Sequence, residues 1–233
     1  MKITLSINRF DPAVETKPHR EEYTIDVEPT YRILDCLDKV KWEIDGGLAY
    51  RRSCSHGICG SDAVMINGVN QLACQILVKD FKKNYIKIDP IPALPVIKDL
   101  VVDMDSFFDK YDIVKPYLIT KTAPPPKERY QSQEDRALID EAVNCILCGA
   151  CSASCPSLWS NDSYLGPAAL LKAYRYIFDS RDDGAEERLD VVDSNDGLWR
   201  CHTIMNCIEV CPKDINITWH LSQLKKRCTS REL

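Results

Sequence analysis

What this sequence lacks narrows its chemistry before any motif is read. Its nine glycines include no G-x-G-x-x-G loop, so the dinucleotide-binding fingerprint is absent. It has no excess of positive charge: Lys plus Arg number 30 against 35 Asp plus Glu, a formal charge of −5, which argues against a nucleic-acid partner. It has no long apolar run. Residues 142–161 carry no charged side chain, yet four cysteines, several Ser and Asn residues and Pro156 make them too polar and too broken for a membrane span. Met1 leads directly into the alternating Lys2-Ile3-Thr4-Leu5-Ser6-Ile7, so no secretory or transit segment is expected.

What the chain does have is cysteine, 12 in 233 residues. A chain this long can bury a core without covalent staples. In an intracellular setting disulfides are rare, so metal or redox chemistry is the leading account of the thiols.

The first hundred residues read as mixed β with one helix. Ile3, Leu5 and Ile7 alternate, as do Tyr23, Ile25 and Val27. Ile33, Leu34, Leu37, Val40 and Ile44 share a helical face that Gly46-Gly47 ends. Ala63–Ile66, the turn signal Asn67-Gly68, a return through Leu72 to Cys74, and Tyr85–Ile88 complete a β-grasp pattern. Helical spacing dominates afterwards, at Met104–Tyr111, Glu134–Val143, Gly166–Phe178 and a last helix with Ile217, Leu221, Leu224 and Cys228 on its buried stripe. The expectation is an α+β chain: residues 1–103 a β-grasp, plant-type 2Fe-2S ferredoxin domain, and residues 104–233 a helical, bacterial-ferredoxin-like domain with two clusters.

Three groups of ligands carry the chemistry. Cys54-x4-Cys59-x2-Asp62 followed by Cys74 has the plant-type spacing for a two-iron cluster, with Asp62 where the third cysteine would stand. Asp62 is either an oxygen ligand, harder than thiolate, or a helper carboxylate beside a water or Ser61. Cys145-x2-Cys148-x2-Cys151-x3-Cys155-Pro156 is the bacterial ferredoxin run. Cys201-x5-Cys207-x3-Cys211-Pro212 is a second run with Ile204 where a cysteine would be. Because the fourth cysteine of each run serves the other cluster, Cys145, Cys148, Cys151 and Cys211 are expected to hold four irons. Cys155, Cys201 and Cys207 are left with three thiolates, which suits a three-iron cluster facing Ile204. Zinc is the alternative, although structural zinc usually takes two separated ligand pairs. Cys36 and Cys228, on apolar helix faces, read as buried thiols.

With these runs, and with Arg51-Arg52-Ser53-Cys54, Asp99-Leu100-Val101-Val102-Asp103-Met104, Gly166-Pro167-Ala168, Asp179-Ser180-Arg181-Asp182 and Arg200-Cys201-His202-Thr203-Ile204, the whole chain resembles the iron–sulfur subunit of the succinate:quinone oxidoreductase and fumarate reductase family. The resemblance implies a wire: a flavoprotein partner oxidises succinate on FAD, and electrons run through 2Fe-2S, 4Fe-4S and 3Fe-4S clusters to a quinone beside membrane anchor subunits, which often bind haem b. It implies a peripheral position on the cytoplasmic face of a prokaryotic inner membrane, rather than a mitochondrial matrix face. It also implies a quinone pocket at or near Pro156, Ser157, Trp159, His202 and Ile204. Many members carry a second Trp after the first; Ser160 stands there in this chain, which implies a differently shaped pocket or another quinone. Trp159 alternatively reads as a core aromatic, and His202 as a hydrogen-bond donor to a cluster sulfide. Rival readings are a fumarate reductase subunit running the reverse reaction and a free multi-cluster ferredoxin.

Overall fold

The computed structural model describes residues 1–231, so the last two residues of the expected second domain lie outside the described residues. The chain divides into two compact units. The first comprises Met1–Met104 with Ile146–Ser154, the second Asp105–Cys145 with the chain from Cys155 onward.

The first unit is a five-stranded mixed sheet. Strands β1 (Lys2–Arg9), β2 (His19–Asp26), β3 (Ala63–Ile66), β4 (Val69–Leu72) and β5 (Tyr85–Pro90) lie in the order β2-β1-β5-β3-β4. β1 pairs antiparallel with β2 and parallel with β5. A parallel neighbour cannot be reached by a tight hairpin, and helix α1 (Ile33–Glu43) lies in the intervening stretch of chain. Alternation puts Ile3, Leu5 and Ile7 of β1 into a core with Ile33, Leu34, Leu37 and Val40 of α1. Truncating fully buried Leu5 or Leu37 to Ala costs about 2–5 kcal/mol. α1 is capped where the Arg32 amide donates to Asp35 Oδ2 at 2.8 Å. It stops at Glu43, so Ile44, expected on the buried face, leaves the helix and is 54% exposed.

Asn67 and Gly68 take φ of 49° and 88°, the two left-handed residues that a two-residue hairpin needs to match the strand twist. The return strand ends at Leu72, opposite Ala63 where β3 begins, two residues before Cys74. A small hairpin, β6 (Val96–Lys98) and β7 (Val101–Val102), encloses Asp99. Buried Asp99 accepts from Arg9 Nε and from the amides of Phe10 and Ala49, which ties three distant segments together.

In the second unit, α2 (Asp105–Ile113) and α3 (Gln133–Val143) precede Cys155; α4 (Ala150–Ala153) belongs to the first unit. After Cys155 come α5 (Pro156–Ser160), α6 (Gly166–Ile177), α7 (Ala185–Val192), α8 (Asn206–Glu209) and α9 (Ile217–Thr229). α6 is the centre, packed by α2, α3, α7 and α9. Pro167 suits its first turn, where the missing N–H costs nothing. Its small residues Ala168, Ala169 and Ala173 let neighbours approach closely. Arg188 of α7 is fully buried; it pairs with Asp182 at 2.6 Å and donates to the carbonyls of Val114, Lys115 and Tyr117, satisfying the turn that follows α2. Among the described residues no helix is long and apolar enough to cross a membrane.

Candidate metal centres

The loop from Cys54 to Asp62 is shaped by left-handed residues at Ser55, Gly57 and Gly60, with φ of 59°, 77° and 69°. This curl aims the amides of His56, Ile58 and Cys59 at Cys54 Sγ, at 3.5, 3.3 and 3.2 Å. Those N–H groups favour thiolate and pull Cys54 down to about 6. Cys59 Sγ lies 3.2 Å from Ser61 Oγ. Asp62 is buried and turned to Cys74 instead: its Oδ2 accepts the Cys74 amide at 2.6 Å. Burial, together with the Asp62 carboxylate, pushes the Cys74 thiol up to about 12. A carboxylate and a thiol crowded together in an apolar site are a donor set that a cation would relieve.

Gly60 is glycine for a second reason. A Cβ there would stand 2.7 Å from Cys148 Cβ and 3.0 Å from Cys148 Cα. The Cys54 loop and residues 146–154 therefore pack together within the first unit. Ala153 joins its apolar core, with Ile146 and Cys148 packed against it, and Asn70 Nδ2 donates to Ala150 O at 3.2 Å.

The two ferredoxin-like loops share one backbone design. In the first, Leu147 and Gly149 take φ of 56° and 79°, and α4 follows with Cys151. In the second, Thr203 and Met205 take φ of 57° and 74°, and α8 follows with Cys207. Between the left-handed pair stands Cys148 in one loop and Ile204 in the other. Cys148 and Cys151 belong to the first unit, and Cys145 and Cys211 to the second.

Within the second unit, Cys155, Cys201 and Cys207 line one cavity, about 340 Å³ with its solvent-open part. Burial pushes Cys207 up to about 12, and the negative charge of Cys201 and Cys155 adds to it. Pro156, Ser157, His202 and Ile204 line the same cavity. Trp159 and Ser160 do not: Trp159 is 54% exposed on α5, which removes the core-aromatic reading, and Ser160 Oγ donates to Ser157 O at 3.0 Å. Tyr164, Met205 and Thr218 also line the cavity. Sequence spacing did not point to them; for Tyr164 the only available signal was an aromatic just before Gly166-Pro167. Cys36 and Cys228 are buried on α1 and α9, as expected of core thiols.

Among the described residues, no three His, Cys, Asp or Glu side chains close on a single point as one ion requires. A polynuclear cluster makes no such demand, since its thiolates bind different irons.

Residues 4–109 match the family described as 2Fe-2S iron-sulfur cluster binding domain, and residues 137–212 the 4Fe-4S dicluster domain. The chain is 47% identical to a succinate dehydrogenase iron-sulfur subunit of Paracoccus denitrificans, over 97% of this chain and 88% of that one. It is 48% identical to the mitochondrial succinate dehydrogenase [ubiquinone] iron-sulfur subunit 1 of Oryza sativa, over 96% of this chain and 81% of that one. A solved chain of the Mycobacterium smegmatis Sdh1 complex in the apo form superposes with a TM-score of 0.87 at 26% identity, covering 99% of this chain and 96% of that one.

Proposed function

Because the chain belongs to the family of succinate dehydrogenase iron–sulfur subunits, we propose a specific division of labour among its ligands. The chain is the electron-transfer subunit of a succinate dehydrogenase complex, in the tricarboxylic acid cycle and electron transport, with a 2Fe-2S domain and a 4Fe-4S dicluster domain. When bound, the clusters supply one-electron chemistry, and the protein supplies spacing, shielding and tuning.

Cys54, Cys59, Asp62 and Cys74 hold the two-iron centre, with Asp62 as its oxygen ligand. The amides on Cys54 and the Asp62–Cys74 contact support that set. Cys145, Cys148, Cys151 and Cys211 hold the four-iron centre. Gly60 against Cys148 keeps the first loop and two of these ligands in one packed unit, which suits electron transfer between them. Cys155, Cys201 and Cys207 hold a three-iron centre. The observation that carries this assignment is the repeated loop: its backbone recurs at Thr203–Met205, and Ile204 offers no ligand where Cys148 offers one.

Electrons enter from an FAD-bearing flavoprotein subunit and leave to a quinone at membrane anchor subunits, some of which bind haem b. The chain thereby works as a peripheral membrane protein on the cytoplasmic face of a prokaryotic inner membrane. Pro156, Ser157, His202 and Ile204 form the protein wall nearest the quinone, with the exposed His202 imidazole as its proton or hydrogen-bond partner. Trp159 and Ser160, outside the cavity, border that wall. In the purified complex, His202→Ala lowers quinone reduction at least tenfold while all three centres stay assembled by electron paramagnetic resonance; unchanged quinone turnover overturns the role of His202.

A further inference from the structure

Two polar groups from different elements converge on one of the three sulfur-bearing residues of the second unit's cavity. Tyr164, just ahead of α6, is 1% exposed and lines the cavity beside Cys155, Cys201 and Cys207. Its hydroxyl faces the sulfurs of all three, Cys201 most strongly, and Cys201 is the one it is placed to hydrogen-bond. A phenol keeps its proton at neutral pH, so toward a thiolate it can only donate. Lys225, half-buried on α9, donates from Nζ to the Cys201 carbonyl at 2.9 Å, and its ammonium stands over the Trp199 ring at 5.9 Å. The cation is thus held at the residue next to His202, over an aromatic face. Cys207 receives backbone amides, its own and that of Ile208, whereas the side-chain groups Tyr164 and Lys225 meet at Cys201.

We propose that Tyr164 and Lys225 are positioning residues that raise the reduction potential of the three-iron centre through Cys201, making that centre the low-energy end of the electron path. The inference rests on the assignment of Cys155, Cys201 and Cys207 to that centre. A reduced cluster carries one more negative charge than the oxidised one. A hydrogen bond to its sulfur and a nearby cation both stabilise the reduced state more, so both raise the potential. Both groups act at Cys201, one of the three thiolates assigned to that centre.

The test is a redox titration of the purified complex followed by electron paramagnetic resonance, with the two-iron centre as internal reference. Tyr164→Phe and Lys225→Gln are each expected to leave the three-iron signal in place. At a fixed ambient potential each shifts its oxidised-to-reduced ratio about threefold to tenfold toward oxidised, where tenfold is about 59 mV for one electron. Lys225→Arg, which keeps the charge, restores most of the ratio, while the two-iron midpoint does not move. Lys225→Gln alters only a half-buried side chain, so it decides the matter if Tyr164→Phe fails to assemble. An unchanged three-iron midpoint in the assembled variants overturns the inference, as does an equal shift at the two-iron centre. A complex of the unsubstituted chain with no three-iron signal overturns the cluster assignment and this inference together.

Discussion

The loop from Cys145 to Cys151 and the loop from Cys201 to Cys207 are the same backbone written twice. Each bends through a left-handed pair two and four residues after its first cysteine, and each runs into a four-residue helix carrying its last one. They differ where function is expected to differ. One has Cys148 between the left-handed residues and the other Ile204, 49% exposed at the cavity. They also differ in what they pack on. Cys148 and Gly149 lie against the sheet unit, touching Gly60, Ile91 and Met104. The second loop lies with α9, anchored by Lys225. On the proposed assignment, one backbone with one ligand withdrawn holds a different cluster without a change of fold.

The sharpest way to break this comparison is to remove a thiolate that only one loop serves. Cys207→Ala is expected to abolish the three-iron signal and cost about three irons per chain, with the two-iron signal retained. Cys228→Ala, which alters a core thiol, leaves the iron count unchanged. Iron analysis and paramagnetic resonance of the two complexes check both.

A smaller effect separates the loops by backbone strain. Gly149 sits at φ 79°, so Gly149→Ala forces a left-handed alanine, and its Cβ meets Met104 Cε at 3.2 Å; a loss of about 1–2 kcal/mol is expected. Met205 already bears that strain at φ 74°. Met205→Gly therefore gains up to about 1 kcal/mol or is neutral. Urea unfolding of the two variants should then show Gly149→Ala less stable than Met205→Gly by about 1–3 kcal/mol.

The smallest effect concerns the frame under the second loop. His220 of α9 is buried against Tyr174, with Nε2 2.7 Å from Glu141 Oε2. Burial lowers its affinity for a proton more than the Glu141 hydrogen bond raises it. The unfolded chain then binds this proton more tightly than the folded one, so stability falls as pH drops below the ordinary histidine value of about 6.5. In His220→Gln that part of the pH dependence between 7 and 5.5 disappears from the unfolding midpoint, and an unchanged slope counts against it.

Much of this was legible in the residue order. Alternation in Ile3–Ile7 and the Asn67-Gly68 turn are local signals found where the pattern puts them, and the ferredoxin cysteine spacing lies within the matched 2Fe-2S and 4Fe-4S dicluster domains. Ile204 is conspicuous only because the second run otherwise repeats the first. What escaped depends on contacts between distant residues. That 146–154 joins the sheet unit follows from Gly60 meeting Cys148, across more than eighty residues. Arg188 looks like a surface charge on an acidic helix until the carbonyls after α2 surround it. Tyr164 and Lys225 reach Cys201 from well before and well after it, and no periodicity encodes that meeting.

The Ile204→Cys complex tests the repeated-loop assignment most directly. Restoring the missing thiolate is expected to convert the third centre to four irons, so that the oxidised enzyme loses its three-iron paramagnetic signal and gains about one iron per chain. An undiminished three-iron signal with unchanged iron content would contradict the equivalence of Ile204 and Cys148.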